Sequence, residues 1–89
     1  MSSRRRLKKN VNYIASELFA ECLVHSLYIP GTDKVKADEL MGRVLTLQDE
    51  FIRRISHSES GDVKGFYKKY RQDFQVQVDA VIDDIAKLN

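Results

Sequence analysis

The chain has few of the residues that mark disulfide-rich, loop-rich or membrane-spanning proteins. Its 89 residues include one Cys, one Pro, four Gly and no Trp. A single thiol, Cys22, forms neither an intramolecular disulfide nor a multi-cysteine metal site, so it favours a reducing compartment. The scarcity of Pro and Gly disfavours a loop-rich or all-β fold. No apolar run approaches the length that would span a bilayer, so we expect no membrane partner.

The start of the chain is basic but does not match a secretory signal. The segment "MSSRRRLKKNVNYIASELF" contains Asn10, Asn12 and Glu17, which interrupt the apolar stretch that a signal peptide needs. We therefore expect a cytoplasmic protein. With 43% hydrophobic and 31% charged residues, the composition is typical of a folded chain rather than a disordered one.

Three segments of the chain carry apolar residues at helical spacing. A Pro-Gly pair at Pro30 and a polar stretch over residues 56–62 separate them. The predicted helices cover residues 10–28, 33–57 and 62–88. Thr32 or Asp33 is expected to cap the second helix, because a short side-chain oxygen can accept a hydrogen bond from an unpaired backbone N–H.

The connections between these helices are short, and short connections favour antiparallel neighbours. We therefore predict an all-α fold, an up-down-up antiparallel three-helix bundle that forms one domain over residues 10–89. Residues 1–9 are expected to form a basic, partly disordered tail ahead of this domain.

The segment "ECLVHSLYIPG" is the least charged part of the chain. After Glu21 it contains no Asp, Glu, Lys or Arg until Asp33. A bundle helix buries one stripe, so a helix that is apolar nearly all round needs cover on a second side. That second surface consists of Leu23, Val24, Leu27 and Tyr28. We expect another copy of the chain to cover it, which would make a homodimer. The alternative is that these last turns lie under the connection over residues 30–37.

The predicted topology concentrates basic residues at one end, where the first and third helices start and the second ends. The bases at this end are Arg4, Arg5, Arg6, Lys8, Lys9, Arg53, Arg54, Lys64, Lys68, Lys69 and Arg71. Cations near a helix N-terminus oppose the helix macrodipole, so those on the first and third helices indicate another use. Binding to the phosphates of nucleic acid or to an acidic protein would be such a use. The alternative is a solvated end that binds nothing.

The segment "FYKKYRQDF" interleaves aromatic and basic residues, as some nucleic-acid-binding proteins do. Helical spacing nevertheless places its aromatic residues on the inner face of the third helix, so we expect them in the core. These residues are Phe66, Tyr67, Tyr70 and Phe74.

Residues with catalytic potential are few. Cys22 and His25 lie three positions apart on one helical face, where a thiol could sit beside a base or two metal ligands could meet. The only other histidine, His57, is expected at the opposite end of the bundle. The acidic residues Asp79, Asp83 and Asp84 cluster on the outer side of the third helix but lack the spacing of a calcium loop. We therefore expect no catalytic, cofactor-binding or metal-binding site, and no enzyme.

Three segments, "NYIASELFAECL", "LQDEFIRRISHSE" and "DDIAKLN", resemble small helical proteins of Bacteroides-type gut bacteria. The resemblance covers nearly the whole chain but includes no catalytic or ligand-binding motif. It implies a bacterial, cytoplasmic setting and no particular activity.

Taken together, these features predict a non-catalytic helical module for protein interaction or oligomerisation, whose protein partner the sequence does not identify. The alternative function is a small nucleic-acid-binding protein that uses the basic end. A remote third hypothesis is an enzyme that uses Cys22 and His25.

Overall fold

The computed structural model describes residues 2–56 and 63–88, and within them every regular element is a helix. The helices are α1 (Ser2–Tyr28), α2 (Lys34–Ser56) and α3 (Val63–Ala86). They pack as an elongated three-helix bundle with extents of 49 × 18 × 14 Å. The predicted all-α three-helix fold is thereby confirmed.

The first helix starts earlier than its apolar pattern indicated. Residues 2–9 form the first turns of α1 and are not a tail ahead of a helix that starts at residue 10. Arg, Lys and Leu all have high helix propensity, so the segment can extend the helix although most of it contacts no core. Leu7 supports the extension, because it is half-buried and packs against the core.

The turn between α1 and α2 follows from local backbone chemistry. Gly31 has a φ of 82°, a left-handed conformation that a residue without Cβ adopts at little cost. The Asp33 carboxylate accepts a hydrogen bond of 3.2 Å from the backbone N–H of Lys36, so Asp33 is the cap of α2. The Thr32 hydroxyl donates instead to the Ile29 carbonyl, at 2.8 Å.

The ends of α2 and α3 differ slightly from the predicted helices over residues 33–57 and 62–88. Asp33 is the cap of α2 and lies outside the helix. Lys87 and Leu88 donate to carbonyls three residues earlier, which tightens the end of α3 beyond Ala86. Residues 57 and 62 lie outside the described part of the chain.

Side-chain pairs define the antiparallel arrangement. The Gln48 amide on α2 donates to Asn12 on α1 at 2.8 Å. Between α2 and α3, Arg43 contacts Asp84 at 2.6 Å and Arg54 contacts Asp73 at 2.9 Å. Because α2 runs against both neighbours, α1 and α3 are parallel, and their N-termini lie at the same end of the bundle as the C-terminus of α2.

The core differs in character between the two helix pairs. The backbones of α1 and α2 approach closely along much of their length, and small buried residues such as Ala15 and Ala37 lie on their inner faces. Aromatic rings fill the wider space between α2 and α3. Phe51 meets Tyr70 and Phe74 edge to face, with ring centroids 5.2 and 5.1 Å apart.

Tyr70 also carries the buried polar contact of this core. Its hydroxyl donates to the Phe51 carbonyl at 2.8 Å, although the residue is only 1% exposed. Burial raises the pKa of Tyr70 to about 12, while nearby Arg54 acts in the opposite direction. The hydroxyl therefore stays protonated at physiological pH and remains a donor to α2.

We expect Tyr70→Phe to lower the free energy of unfolding by about 1 kcal/mol, because it removes this hydrogen bond and keeps the ring. Urea unfolding followed by circular dichroism measures the change. Tyr67→Phe is the matched control, since Tyr67 is half-buried and its hydroxyl bonds to no described residue. Equal stability of the Tyr70→Phe variant and the wild type would show that the hydrogen bond contributes nothing net.

Candidate interaction surfaces

The surface of α1 opposite the core is apolar over its second half. Leu23 and Val24 are 40% and 44% exposed, and Leu27 and Tyr28 are 63% and 76% exposed. The connection over residues 30–37 therefore does not cover them, and the alternative that it would is wrong. Tyr13 and Ala20 extend the same surface toward the start of the helix. We call this surface the outer face of α1, consisting of Tyr13, Ala20, Leu23, Val24, Leu27 and Tyr28.

A residue of α2 continues this apolar surface. The apolar residue Leu45 is 53% exposed. Leu45 lies two positions, or roughly 200° of helix, from Arg43, which pairs with α3, so it is on the flank of α2 that α3 leaves open. There it lines a shallow groove beside Phe19 and Leu23 of α1. The apolar stripe of α2 is wider than its two neighbours can cover.

Charge is distributed unevenly along α1. Its first turns carry Arg4, Arg5, Arg6, Lys8 and Lys9. The only acids of the helix, Glu17 and Glu21, lie near its middle. His25 lies 3.9 Å from the Glu21 carboxylate. The bases of α1 are therefore confined to its first turns, and its two acids lie on either side of the small residue Ala20.

Some bases at the basic end have structural partners. Arg53 pairs with Asp49. Arg54 pairs with Asp73 at 2.9 Å, and its guanidinium also lies 4.8 Å from the centre of the Phe51 ring. The Arg54–Asp73 pair ties α2 to α3, so Arg54 has a role in the fold.

Asp73 is the residue at this end that sequence reasoning missed. Besides Arg54, its carboxylate pairs with Lys69 at 3.6 Å, one helical turn away. The hydrogen bond from Arg54 holds the pKa of Asp73 below its ordinary value, and Lys69 acts in the same direction. We call Arg54, Lys69 and Asp73 the Asp73 cluster. Lys69 and Asp73 lie four positions apart on a predicted helix, so their ion pair could have been predicted from the sequence.

The other predicted bases make no ion pair with residues 2–56 or 63–88. On α1 these are Arg4, Arg5, Arg6, Lys8 and Lys9. On α3 they are Lys64, Lys68 and Arg71. All are exposed except Lys8, which is half-buried. The structure thus divides the basic end into a paired group, Arg53, Arg54 and Lys69, and an unpaired group.

The aromatic residues of α3 also divide into two groups. Tyr70 and Phe74 are buried, as the helical spacing predicted. Phe66 and Tyr67 are only half-buried, with their ring centroids 5.2 Å apart. The prediction that all four lie in the core is therefore correct for two and incomplete for the others.

Cys22 has the environment of a core residue. It is fully buried, and burial, with a smaller contribution from Glu21, raises the pKa of its thiol. A raised pKa disfavours the thiolate that nucleophilic chemistry needs. In the described part of the chain, no three His, Cys, Asp or Glu side chains come together as a metal site. His57 lies outside the described residues.

Comparison of the chain with protein-family models, with curated proteins and with solved structures finds no match. The resemblance to small helical proteins of Bacteroides-type bacteria therefore stays a prediction. Across residues 2–56 and 63–88, none of the helices has the length and apolar character needed to cross a membrane.

The Asp73 cluster predicts a specific dependence of stability on pH. A carboxyl whose pKa is lower in the folded than in the unfolded chain stabilises the fold above its unfolded pKa. This contribution is lost as the pH falls through the folded pKa. We expect the free energy of unfolding to decline below about pH 4, and Asp73→Asn to reduce that decline.

Urea unfolding at a series of pH values between about 7 and about 3 measures this effect. Asp83→Asn is the control, because Asp83 is exposed and pairs with no described residue. It should leave the pH dependence unchanged. Identical profiles for wild type and Asp73→Asn would contradict the assigned role of the cluster.

Proposed function

We propose that the protein is a non-catalytic helical interaction module that forms a homodimer through the outer face of α1. The observation that carries the proposal is the exposure of Leu23, Val24, Leu27 and Tyr28 on the side of the helix where charged residues normally face water. Leu45 enlarges the surface across the groove to α2. Contiguous apolar surfaces of this kind are typical of protein contacts.

The charge pattern of α1 favours a second copy as the occupant of this surface. In a two-fold symmetric contact the same face serves both chains. If two α1 helices meet antiparallel with Ala20 at the crossing point, the basic first turns of the two chains lie at opposite ends of the contact. A parallel contact would instead bring the two sets of bases together.

The middle of the outer face also suits an antiparallel contact. Ala20 lies there, with the small residue Ser16 one turn earlier. Small side chains allow two helices to approach closely, while the larger residues on either side, Tyr13 and Leu27, can pack beside the crossing point.

We further propose a cytoplasmic setting for this module. The support is Cys22, which is the only thiol of the sequence and lies buried in the core. A single buried thiol forms no disulfide within the chain, and proteins without disulfides are typical of reducing compartments such as the cytoplasm.

Light scattering over a wide concentration range tests the dimer. The chain has a mass of 10.3 kDa, and we expect the wild type to show twice this value. Leu23→Lys combined with Leu27→Lys should shift the mass to that of the monomer while circular dichroism retains the helical signal. The reason is that burying unpaired charge in the contact is strongly unfavourable.

Val35→Lys combined with Val76→Lys is the matched control. Both valines are exposed, at 68% and 65%, and lie on α2 and α3 away from the outer face. This variant adds the same charge and should remain a dimer. A wild type that is monomeric at all concentrations, or a control that dissociates as readily as the Leu23 and Leu27 variant, would refute the proposal.

A further inference from the structure

A second surface lies on the first turns of α3 and does not depend on self-association. Lys64, Lys68 and Arg71 are exposed there and make no ion pair with the described residues. Tyr67 is half-buried, and Lys64 and Arg71 lie three positions before it and four after it. Residues at these spacings are neighbours on a helix surface, so two of the bases flank the aromatic ring.

The first turns of α1 supply further bases to the same end of the bundle. Because α1 and α3 are parallel, both helices start at this end. The contributing residues of α1 are Arg4, Arg5, Arg6, Lys8 and Lys9. Asn12 of α1 contacts Gln48 of α2, so Arg4 lies at about the level of residue 56 of α2. Arg54 of α2 contacts Asp73 of α3, so residue 56 also lies at about the level of Arg71. Arg4 and Arg71 are therefore at a similar level along the bundle.

These bases contribute little to the stability of the fold. Cations in the first turn of a helix oppose its macrodipole, and Lys64 is in that position on α3. Arg54 and Lys69, by contrast, pair with Asp73. The chain therefore contains bases that pair with Asp73 and, beside them, exposed bases that make no ion pair with the described residues.

We propose that this end of the bundle binds single-stranded nucleic acid, with Lys64, Lys68 and Arg71 contacting phosphates and a base stacking on the accessible part of Tyr67. Single-strand binders combine a positively charged surface with aromatic side chains on which bases stack, without need of a fixed sequence. An acidic protein or an anionic lipid surface would pair with the positive charges but has no nucleobase to stack on Tyr67. The aromatic ring among the basic residues therefore favours nucleic acid.

Fluorescence anisotropy with a labelled, mixed-sequence DNA single strand tests the charges. We expect Lys64→Gln, Lys68→Gln and Arg71→Gln together to lower the association constant at least about tenfold. They should also reduce the slope of its logarithm against the logarithm of salt concentration by about 2, since three phosphate contacts are lost. The matched control is Lys34→Gln, Lys36→Gln and Lys87→Gln. It removes the same charge at the opposite end, and it should leave the slope unchanged.

A second comparison tests the aromatic ring. Tyr67→Ala should weaken binding by about fivefold or more, because stacking of a base is lost, whereas Tyr67→Phe should bind like the wild type. Tyr67→Phe is the matched control, because it keeps the aromatic ring and removes only the hydroxyl. Circular dichroism establishes that each variant has the helical content of the wild type.

Several results would overturn the proposal. One is the absence of binding to the single strand at low salt. Another is an equal loss of affinity in the two triple variants, which would indicate general attraction to a basic chain. A Tyr67→Ala variant with unchanged affinity would exclude stacking. Binding to polyglutamate or to anionic vesicles that is stronger than binding to the single strand would assign the surface to one of those partners instead.

Discussion

The attachment of α3 depends on the contact between Phe51 and Tyr70. The rings pack edge to face, and the Tyr70 hydroxyl adds a directional hydrogen bond to the backbone of α2. Since α3 approaches the other helices less closely than they approach each other, these large side chains fill space that backbone proximity does not. Arg54 covers both rings and pairs with Asp73, which shields the contact from water.

The position of α3 determines which surfaces remain open. At the far end, the backbone N–H of Asp33 donates to the Leu88 carbonyl at 3.1 Å, and Arg43 pairs with Asp84. Held at both ends on one side of the α1 and α2 pair, α3 leaves the other side uncovered. The groove beside Leu45 and the outer face of α1 are both on surfaces that α3 does not reach. The apolar surface is thus exposed because α1 and α2 carry wider apolar stripes than α3 can cover.

Much of this architecture could be predicted from the sequence. The periodicity of α2 and α3 identified the helices, and the cap at Asp33 was one of two expected positions. The start of α1 at Ser2 could not be read from apolar spacing, because Arg and Lys extend a helix through propensity and carry no periodic signal. The exposure of Leu45 depends on which flank α3 occupies. The pairing of Arg54 with Asp73 depends on the register between two helices, which no single helix encodes.

The candidate surfaces were predictable to different degrees. The four apolar residues of α1 stand out in the sequence because no Asp, Glu, Lys or Arg lies between Glu21 and Asp33. The separation of the bases into paired and unpaired groups required the structure, because ion pairs between helices depend on distances across the bundle. The accessibility of Tyr67, unlike the burial of Tyr70, depends on how far the cover from the neighbouring helices extends.

The burial of Cys22 gives the molecule an internal reporter of its own motions. Its thiol is fully buried and is the only one in the chain, so a thiol reagent reaches it only when the core around it opens. The rate of modification therefore measures how often the bundle opens near the second half of α1, under conditions in which nearly all molecules are folded. Any ligand or second subunit that seals this part of α1 must slow that rate, even where it leaves the average structure unchanged.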